Sequence, residues 1–272
     1  MGDLSNIFRD ARRVVIKVGT STLTYETGLV NIRRMEQLVK VISDIANSGR
    51  EIILVSSGAI SVGCAKAGIR GKPADMPTRQ AAAAIGQGEL MHLYDTMFGA
   101  YNHTTAQVLL TREVVDDAIR RRNAKSAFER LVELRCIPVV NENDVVSTDE
   151  IEHIDSFGDN DTLSAVVAEL CGAELLIIMS DIDGLYDGDP RENPSAKLIP
   201  IVTELDDNIT GAASGAGSSR GTGGMVTKIN AARIVMRAGI DMAIINGADP
   251  RLLYELFDGK CPGTHFVSGA LR

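Results

Sequence analysis

The chain has 272 residues, 44% of them hydrophobic, enough to bury a sizeable core as one large α/β domain or two closely packed lobes. Its 28 basic and 36 acidic residues leave a net charge of -8, which argues against nonspecific nucleic-acid binding and requires any anionic ligand to be held by a local cluster. Cys64, Cys136, Cys171 and Cys261 lie far apart with no C-x-x-C pair, and His92, His103, His153 and His265 show no ligand spacing, so buried free thiols in a reducing compartment are expected rather than a Cys or His metal site.

The first residues, MGDLSNIFRDARR, contain no apolar h-region, and residue 6 is Asn where a myristoylation signal has Ser or Thr. No apolar run reaches the length of a membrane span, and a cytoplasmic protein is expected. Residues 14–18 read as a strand of Val and Ile interrupted by Lys17. A lysine inside a central parallel strand is costly to desolvate unless it meets an anion at the strand end. Gly19 beside it would let a backbone N–H face the same anion. Ile32, Met35, Leu38, Val39, Ile42, Ile45 and Ala46 then form the apolar stripe of an amphipathic helix closed by Gly49.

A second strand, 51–55, runs into Ser56-Ser57-Gly58-Ala59, a small turn suited to holding a carboxylate or phosphoryl group through N–H donors and equally to capping a helix. Strands follow at 105–110 and 137–140. After the latter, Asn141-Glu142-Asn143-Asp144 and Gly158-Asp159-Asn160-Asp161 bracket a loop with Glu150, Glu152, His153 and Asp155, and the second cluster leads into a helix over 162–170. Turn chemistry and capping explain some such clusters. Recognition of an ammonium group, with one further aspartate holding a lysine, is the alternative, and a metal site is a third, although no calcium-loop spacing occurs.

Strand 175–179 is followed by Ser180, Asp181 and Asp183, a turn-rich loop or a nucleotide contact. Residues 211–228 read GAASGAGSSRGTGGMVTK and pass directly into a helical pattern that starts near Lys228, which ties the segment into the fold as a phosphate cradle rather than a linker. It is not a Walker A loop, and the chain has no G-x-G-x-x-G after a strand. With a last strand at 242–245, the alternation of strands and helices predicts a mainly parallel sheet covered on both faces, its polar strand ends gathered on one edge.

In this order, VVIKVGTS, LVSSGAI, VVNENDVV, FGDNDTLSA, SDIDGLYDGDP and GTGGMVTKINAA resemble the amino-acid kinase family, and within it the branch that phosphorylates L-glutamate, from Lys17 to about Phe266. NEND paired with GDND and the GTGGMxTK segment are the specific part; K-x-G-x-S and SSGA are shared across the family. The resemblance implies an α/β fold, a three-layer αβα sandwich with a mainly parallel central sheet, as one domain over 1–272 whose N-terminal part binds the acceptor and whose part from about 172 to 272 binds the nucleotide. It implies ATP-dependent, Mg²⁺-assisted phosphorylation of the γ-carboxylate of L-glutamate to L-glutamyl 5-phosphate, the first step of proline biosynthesis, with proline as feedback inhibitor and a homo-oligomer, dimer or tetramer. Many bacterial members of that branch carry a C-terminal PUA module, and none is expected here.

Carried over by position, the resemblance has Lys17 and Lys228 contact the transferring phosphate, Asp161 hold them, and Gly19 and Gly58 offer N–H groups to it. Ser57, Asp144 and Asn160 would bind glutamate. Lys17, Ser180, Asp181, Thr222, Gly223, Gly224, Met225, Val226, Thr227 and Lys228 would bind ATP. The competing readings are a family relative acting on acetylglutamate, aspartate, carbamate or UMP, and a non-catalytic nucleotide or amino-acid sensor.

Overall fold

The computed structural model describes residues 5–71, 73–146, 159–206, 209 and 224–269. Among these, β1 (Arg13–Val18), β2 (Glu51–Ser56), β3 (Thr105–Leu110), β4 (Ile137–Glu142), β5 (Leu175–Ser180), β6 (Ile201–Val202), β7 (Asp241–Asn246) and β8 (Thr264–Phe266) form one sheet in the order β3-β4-β2-β1-β5-β7-β8-β6. Neighbours from β3 to β7 are parallel, β8 runs antiparallel to β7, and β6 is parallel to β8. The mainly parallel sheet predicted from sequence is therefore present, with each of its six expected strands extended by at most a residue or two. β6 and β8 were not anticipated. They have two and three residues, too short for a period-two pattern.

Ten helices accompany the sheet among the described residues: α1 (Ser5–Asp10), α2 (Thr20–Leu23), α3 (Ile32–Asn47), α4 (Ala59–Lys66), α5 (Met76–Gly99), α6 (Glu113–Asp116), α7 (Ala118–Glu133), α8 (Asn160–Cys171), α9 (Met225–Arg237) and α10 (Leu252–Phe257). Side chains alternate between the two faces of a strand. Val14, Ile16 and Val18 of β1 pack in one core cluster with α3, α5 and α10, while Val15 packs in a second with α7, α8 and α9. Three layers result. By the same alternation Lys17 belongs to the face covered by α8 and α9.

The stripe predicted for α3 is buried at Met35, Leu38, Val39, Ile42 and Ile45, but Ile32, its first residue, is 46% exposed; at the helix's opening turn it falls short of the sheet, and Val41 is buried instead. Gly49 closes the helix at φ +101°, a left-handed conformation that favours glycine. α8 starts at Asn160, two residues before the expected position, because the Asp159 carboxylate caps it.

The position of the site follows from strand order. From β1 the sheet continues through β2 on one side and β5 on the other, so neighbouring connections diverge there and leave a crevice at its carboxyl end. Lys17 stands next to that end, paired in register with Val55 and Ile178.

Candidate active site

Capping places the central carboxylate. Asp159 accepts from the backbone N–H groups of Asp161 and Thr162 at 2.7 and 2.8 Å, which sets the first turn of α8 and directs Asp161 towards β1. Asp161 is 1% exposed. Its Oδ1 lies 2.5 Å from Lys17 Nζ, and its Oδ2 lies 3.1 Å from Lys228 Nζ and accepts from the Thr227 hydroxyl at 2.8 Å. Burial would raise the pKa of this carboxyl, but the charges of Lys17 and Lys228, aided by hydrogen bonds from Lys17 and Thr227, hold it well below the ordinary carboxylate range. Two ammonium groups against one carboxylate leave one positive charge over, in a cluster whose lysines are 8% and 5% exposed. A buried excess cation at the carboxyl edge of a parallel sheet is a place for an anion.

Gly19 and Gly58 flank this cluster. A Cβ on Gly19 would sit 3.7 Å from Lys17 Nζ, so the turn after β1 passes beside the ammonium group. Gly58 caps α4 at φ +97°, and a Cβ there would lie 3.8 Å from Thr20, so the turns after β1 and β2 are in contact. The Ser57 N–H donates to the Val18 carbonyl at 3.1 Å, tying the two strand ends together.

Asn160, next to Asp161 on α8, spans the ends of β2 and β4. Its Nδ2 donates to the Ser56 carbonyl and the Ser57 hydroxyl, each at 2.9 Å, and to Asn141 Oδ1 at 3.0 Å. The structure thus joins Ser57 and Asn160. Asp144 stands further out, in a single 3₁₀ turn (Asp144–Val146), and no hydrogen bond links it to either residue among those described. Burial pushes its carboxyl up to about 6. With Gln87, Gln107 and Glu142 it lines a half-open cavity of about 250 Å³.

On the other side of β1, Ser180 Oγ donates to Asp181 Oδ1 at 3.3 Å, and Asp181 pairs with Arg191 at 3.4 Å. The Gly247 N–H donates to the Ser180 carbonyl at 2.6 Å, and Asn246 donates to Asp183 at 2.6 Å, so the ends of β5 and β7 are knitted at this edge. Thr222, Gly223 and the rest of 210–223 lie outside the described residues, as does the loop with Glu150, Glu152, His153 and Asp155. Of the remainder of the cradle, Gly224 precedes α9, Met225 is buried in the core, Val226 is 49% exposed, and Thr227 and Lys228 reach Asp161. Lys228 is the fourth residue of α9 rather than its first, which places its ammonium group on the inner face of the opening turn. Among the described residues no group of three His, Cys, Asp or Glu side chains is arranged to hold a metal ion.

Sequence reasoning did not assign a role to Asn141, although it belongs to the Asn-rich cluster, and gave no sign at all of Gln87. Asn141 is 3% exposed and receives Asn160, while Gln87 receives Asn141.

A doubly covered parallel sheet that holds two lysines on one buried carboxylate at its switch point is the frame of a phosphoryl-transfer enzyme. Residues 12–246 match the amino acid kinase family, and the chain belongs to that family. It is 52% identical over 260 residues to a glutamate 5-kinase of Clostridium perfringens, covering 96% of this chain and 97% of the relative. It is 47% identical to a glutamate 5-kinase of Listeria innocua, over 96% of this chain and 94% of that one. Among solved structures, carbamate kinase from Giardia lamblia bound to AMP-PNP superposes with a TM-score of 0.64 at 17% identity, over 95% of this chain and 99% of that one, a likeness in fold.

Proposed function

We propose that the protein transfers the γ-phosphoryl group of ATP to the γ-carboxylate of L-glutamate, giving L-glutamyl 5-phosphate for proline biosynthesis. Relatives named glutamate 5-kinase at up to 52% identity support this reading. The observation that carries it is the Lys17–Asp161–Lys228 cluster, one residue along α8 from an Asn160 that is already bound to Ser57. Phosphate-handling and acceptor-handling groups therefore share one helix end.

In this reading the acceptor carboxylate is the nucleophile. With an intrinsic pKa of about 4.3 it is ionised at neutral pH and needs no general base, which accounts for a cluster built of lysines rather than histidine. The barrier comes from bringing two anions together and from charge on the phosphoryl oxygens in a loose transition state. Asp161 fixes both lysines while balancing only one of their two charges, so their ammonium groups need not reorganise as that charge moves. Backbone N–H groups at Gly19 and Gly58 add donors along the same edge. The nucleotide half, from about residue 172, contributes Ser180, Asp181 and residues 222–228. Mg²⁺ arriving with the nucleotide would supply neutralisation of phosphate charge. The chain works in this reading as one catalytic domain in the cytoplasm, and as a dimer or tetramer of identical subunits.

The decisive experiment is hydroxylamine trapping of the acyl phosphate with Mg²⁺, ATP and each candidate acceptor. L-Glutamate should exceed N-acetyl-L-glutamate by at least roughly a hundredfold, since the acetylated amine leaves the Asp144 carboxylate unpaired. L-Aspartate is one methylene shorter and should fail for lack of reach. Strong trapping with either alternative and none with glutamate would overturn the acceptor; no transfer to any acceptor would favour a sensor.

A further inference from the structure

Gln87 ends a chain of side-chain amides whose direction is set from the far end. The Ser56 carbonyl can only accept, so Asn160 must turn Nδ2 towards it, at 2.9 Å. Asn141 then has to present Oδ1 to Asn160, at 3.0 Å, which leaves its own Nδ2 for Gln87. Gln87 meets that donor with Oε1 at 2.9 Å. One carbonyl that cannot be reversed thus orients three amides in series, and Nε2 of the last is the group left over. No hydrogen bond to Gln87 Nε2 is found among the described residues, and Gln87 lines the cavity of about 250 Å³ that it shares with Asp144.

An α-amino acid offers an ammonium group and a carboxylate on one carbon. Asp144 can pair only with the first. Gln87 lines the same cavity with Nε2 as its remaining donor, and α5 holds the residue firmly. One side of that helix packs backbone to backbone on α4 at Gly86, and seven residues beyond Gln87 the buried Tyr94 hydroxyl shares a 2.9 Å hydrogen bond with Ser56 Oγ. Gln87 is therefore fixed against the strand end that carries Ser56 and Ser57.

We propose that Gln87 binds the α-carboxylate of the amino-acid acceptor through Nε2 while its Oε1 holds Asn141, and so Asn160, in orientation. This rests on the acceptor reading above. Gln87 then discriminates an acceptor with a free α-carboxylate from one whose α-carboxylate is amidated.

The test compares L-glutamate with its α-carboxamide, isoglutamine, which keeps the ammonium group and the γ-carboxylate, in the unsubstituted protein, Gln87→Met and Gln87→Glu. The unsubstituted protein should prefer glutamate by at least roughly tenfold in kcat/KM, the worth of one hydrogen bond to a charged group. In Gln87→Met the preference should fall towards one, with KM for glutamate up at least roughly tenfold and KM for ATP within about twofold. Gln87→Glu keeps an oxygen for Asn141 but faces the α-carboxylate with an anion, so there the preference should invert. Retained ATP affinity shows that a variant is folded. An unchanged glutamate-to-isoglutamine ratio in both variants, whatever their KM, would overturn the proposal by reducing Gln87 to packing. Failure of the unsubstituted protein to phosphorylate glutamate would sink the acceptor reading, and this assignment with it.

Discussion

At the scale of single residues the site turns on one carboxylate serving two lysines. Lys17→Met or Lys228→Met should lower kcat by roughly 10² to 10³, the effect of removing one fixed donor at developing charge, with a much smaller change in KM for ATP. Steady-state kinetics check this, and variants that kept kcat and lost only nucleotide affinity would contradict it. Asp161→Asn leaves two buried ammonium groups without an anion and should cost roughly 3 to 5 kcal/mol of stability as well as activity, readable in denaturant unfolding. Since the Asp161 pKa is depressed, the stabilisation from its pairing is present above the ordinary carboxylate pKa of about 3.9 and is lost as pH falls below it. Asp144 has the opposite sign. Burial raises it to about 6, so below that pH its carboxyl is neutral and cannot pair with an ammonium group. kcat/KM for glutamate should fall about tenfold per pH unit below 6, and Asp144→Asn should be uniformly weak with that acid limb removed. Identical acid limbs in both proteins would assign the limb to another group. These residues were legible because lysine in an apolar strand and Asx-rich strand ends are locally anomalous. Gln87 and Asn141 were not, because an amide's role lies in what it faces, and their partners are 54 and 19 positions away in sequence.

At the scale of elements, the acceptor side depends on how closely α4 approaches α5. A Cβ on Gly63 would lie 1.8 Å from the Ala82 carbonyl oxygen, and one on Gly86 1.8 Å from that of Ala59. Both obstacles are backbone atoms, which no rotamer change can clear. Gly63→Ala or Gly86→Ala must therefore separate the helices, moving Gly58 and Gln87 apart. Each should cost at least roughly 1 to 3 kcal/mol, the range for overpacking, and raise KM for glutamate more than KM for ATP. Gly88→Ala is the contrast, since nothing lies within 4 Å of its Cβ position, and should leave the melting temperature unchanged or higher. Equal loss in all three would mean that close approach at the crossing is not what these glycines serve, since helix propensity by itself favours alanine. α5 also shows why part of the fold escaped the sequence. Its first half is alanine and glycine packed by close backbone contact, and only Leu90, Tyr94 and Phe98 in its second half bury large side chains, whereas α3 buries a regular stripe along its length, so periodicity finds α3 more readily than this longer helix.

At the scale of the whole molecule, β1 divides two halves that meet at one carboxylate. On one side β2, β4 and α5 carry Ser57, Asn160's partners, Asp144 and Gln87; on the other β5, β7 and α9 carry Ser180, Asp181 and Lys228. Asp161, on α8, bridges β1 and α9 through Lys17 and Lys228. A ligand confined to the acceptor half should therefore compete with glutamate and leave the nucleotide half undisturbed. Proline has the chemistry expected of such a ligand. It has the α-ammonium and α-carboxylate groups of glutamate on one carbon but no γ-carboxylate, so it can satisfy Asp144 and Gln87 without reaching the lysines. Inhibition by proline should accordingly be overcome by saturating glutamate and not by ATP, and Asp144→Asn should weaken proline and glutamate in parallel, by at least roughly tenfold each, because both lose the same pairing. Initial rates over a grid of proline against each substrate measure this directly. Relief by ATP, or inhibition that persists at saturating glutamate, would place proline outside the acceptor half and break the division of labour that the strand order implies.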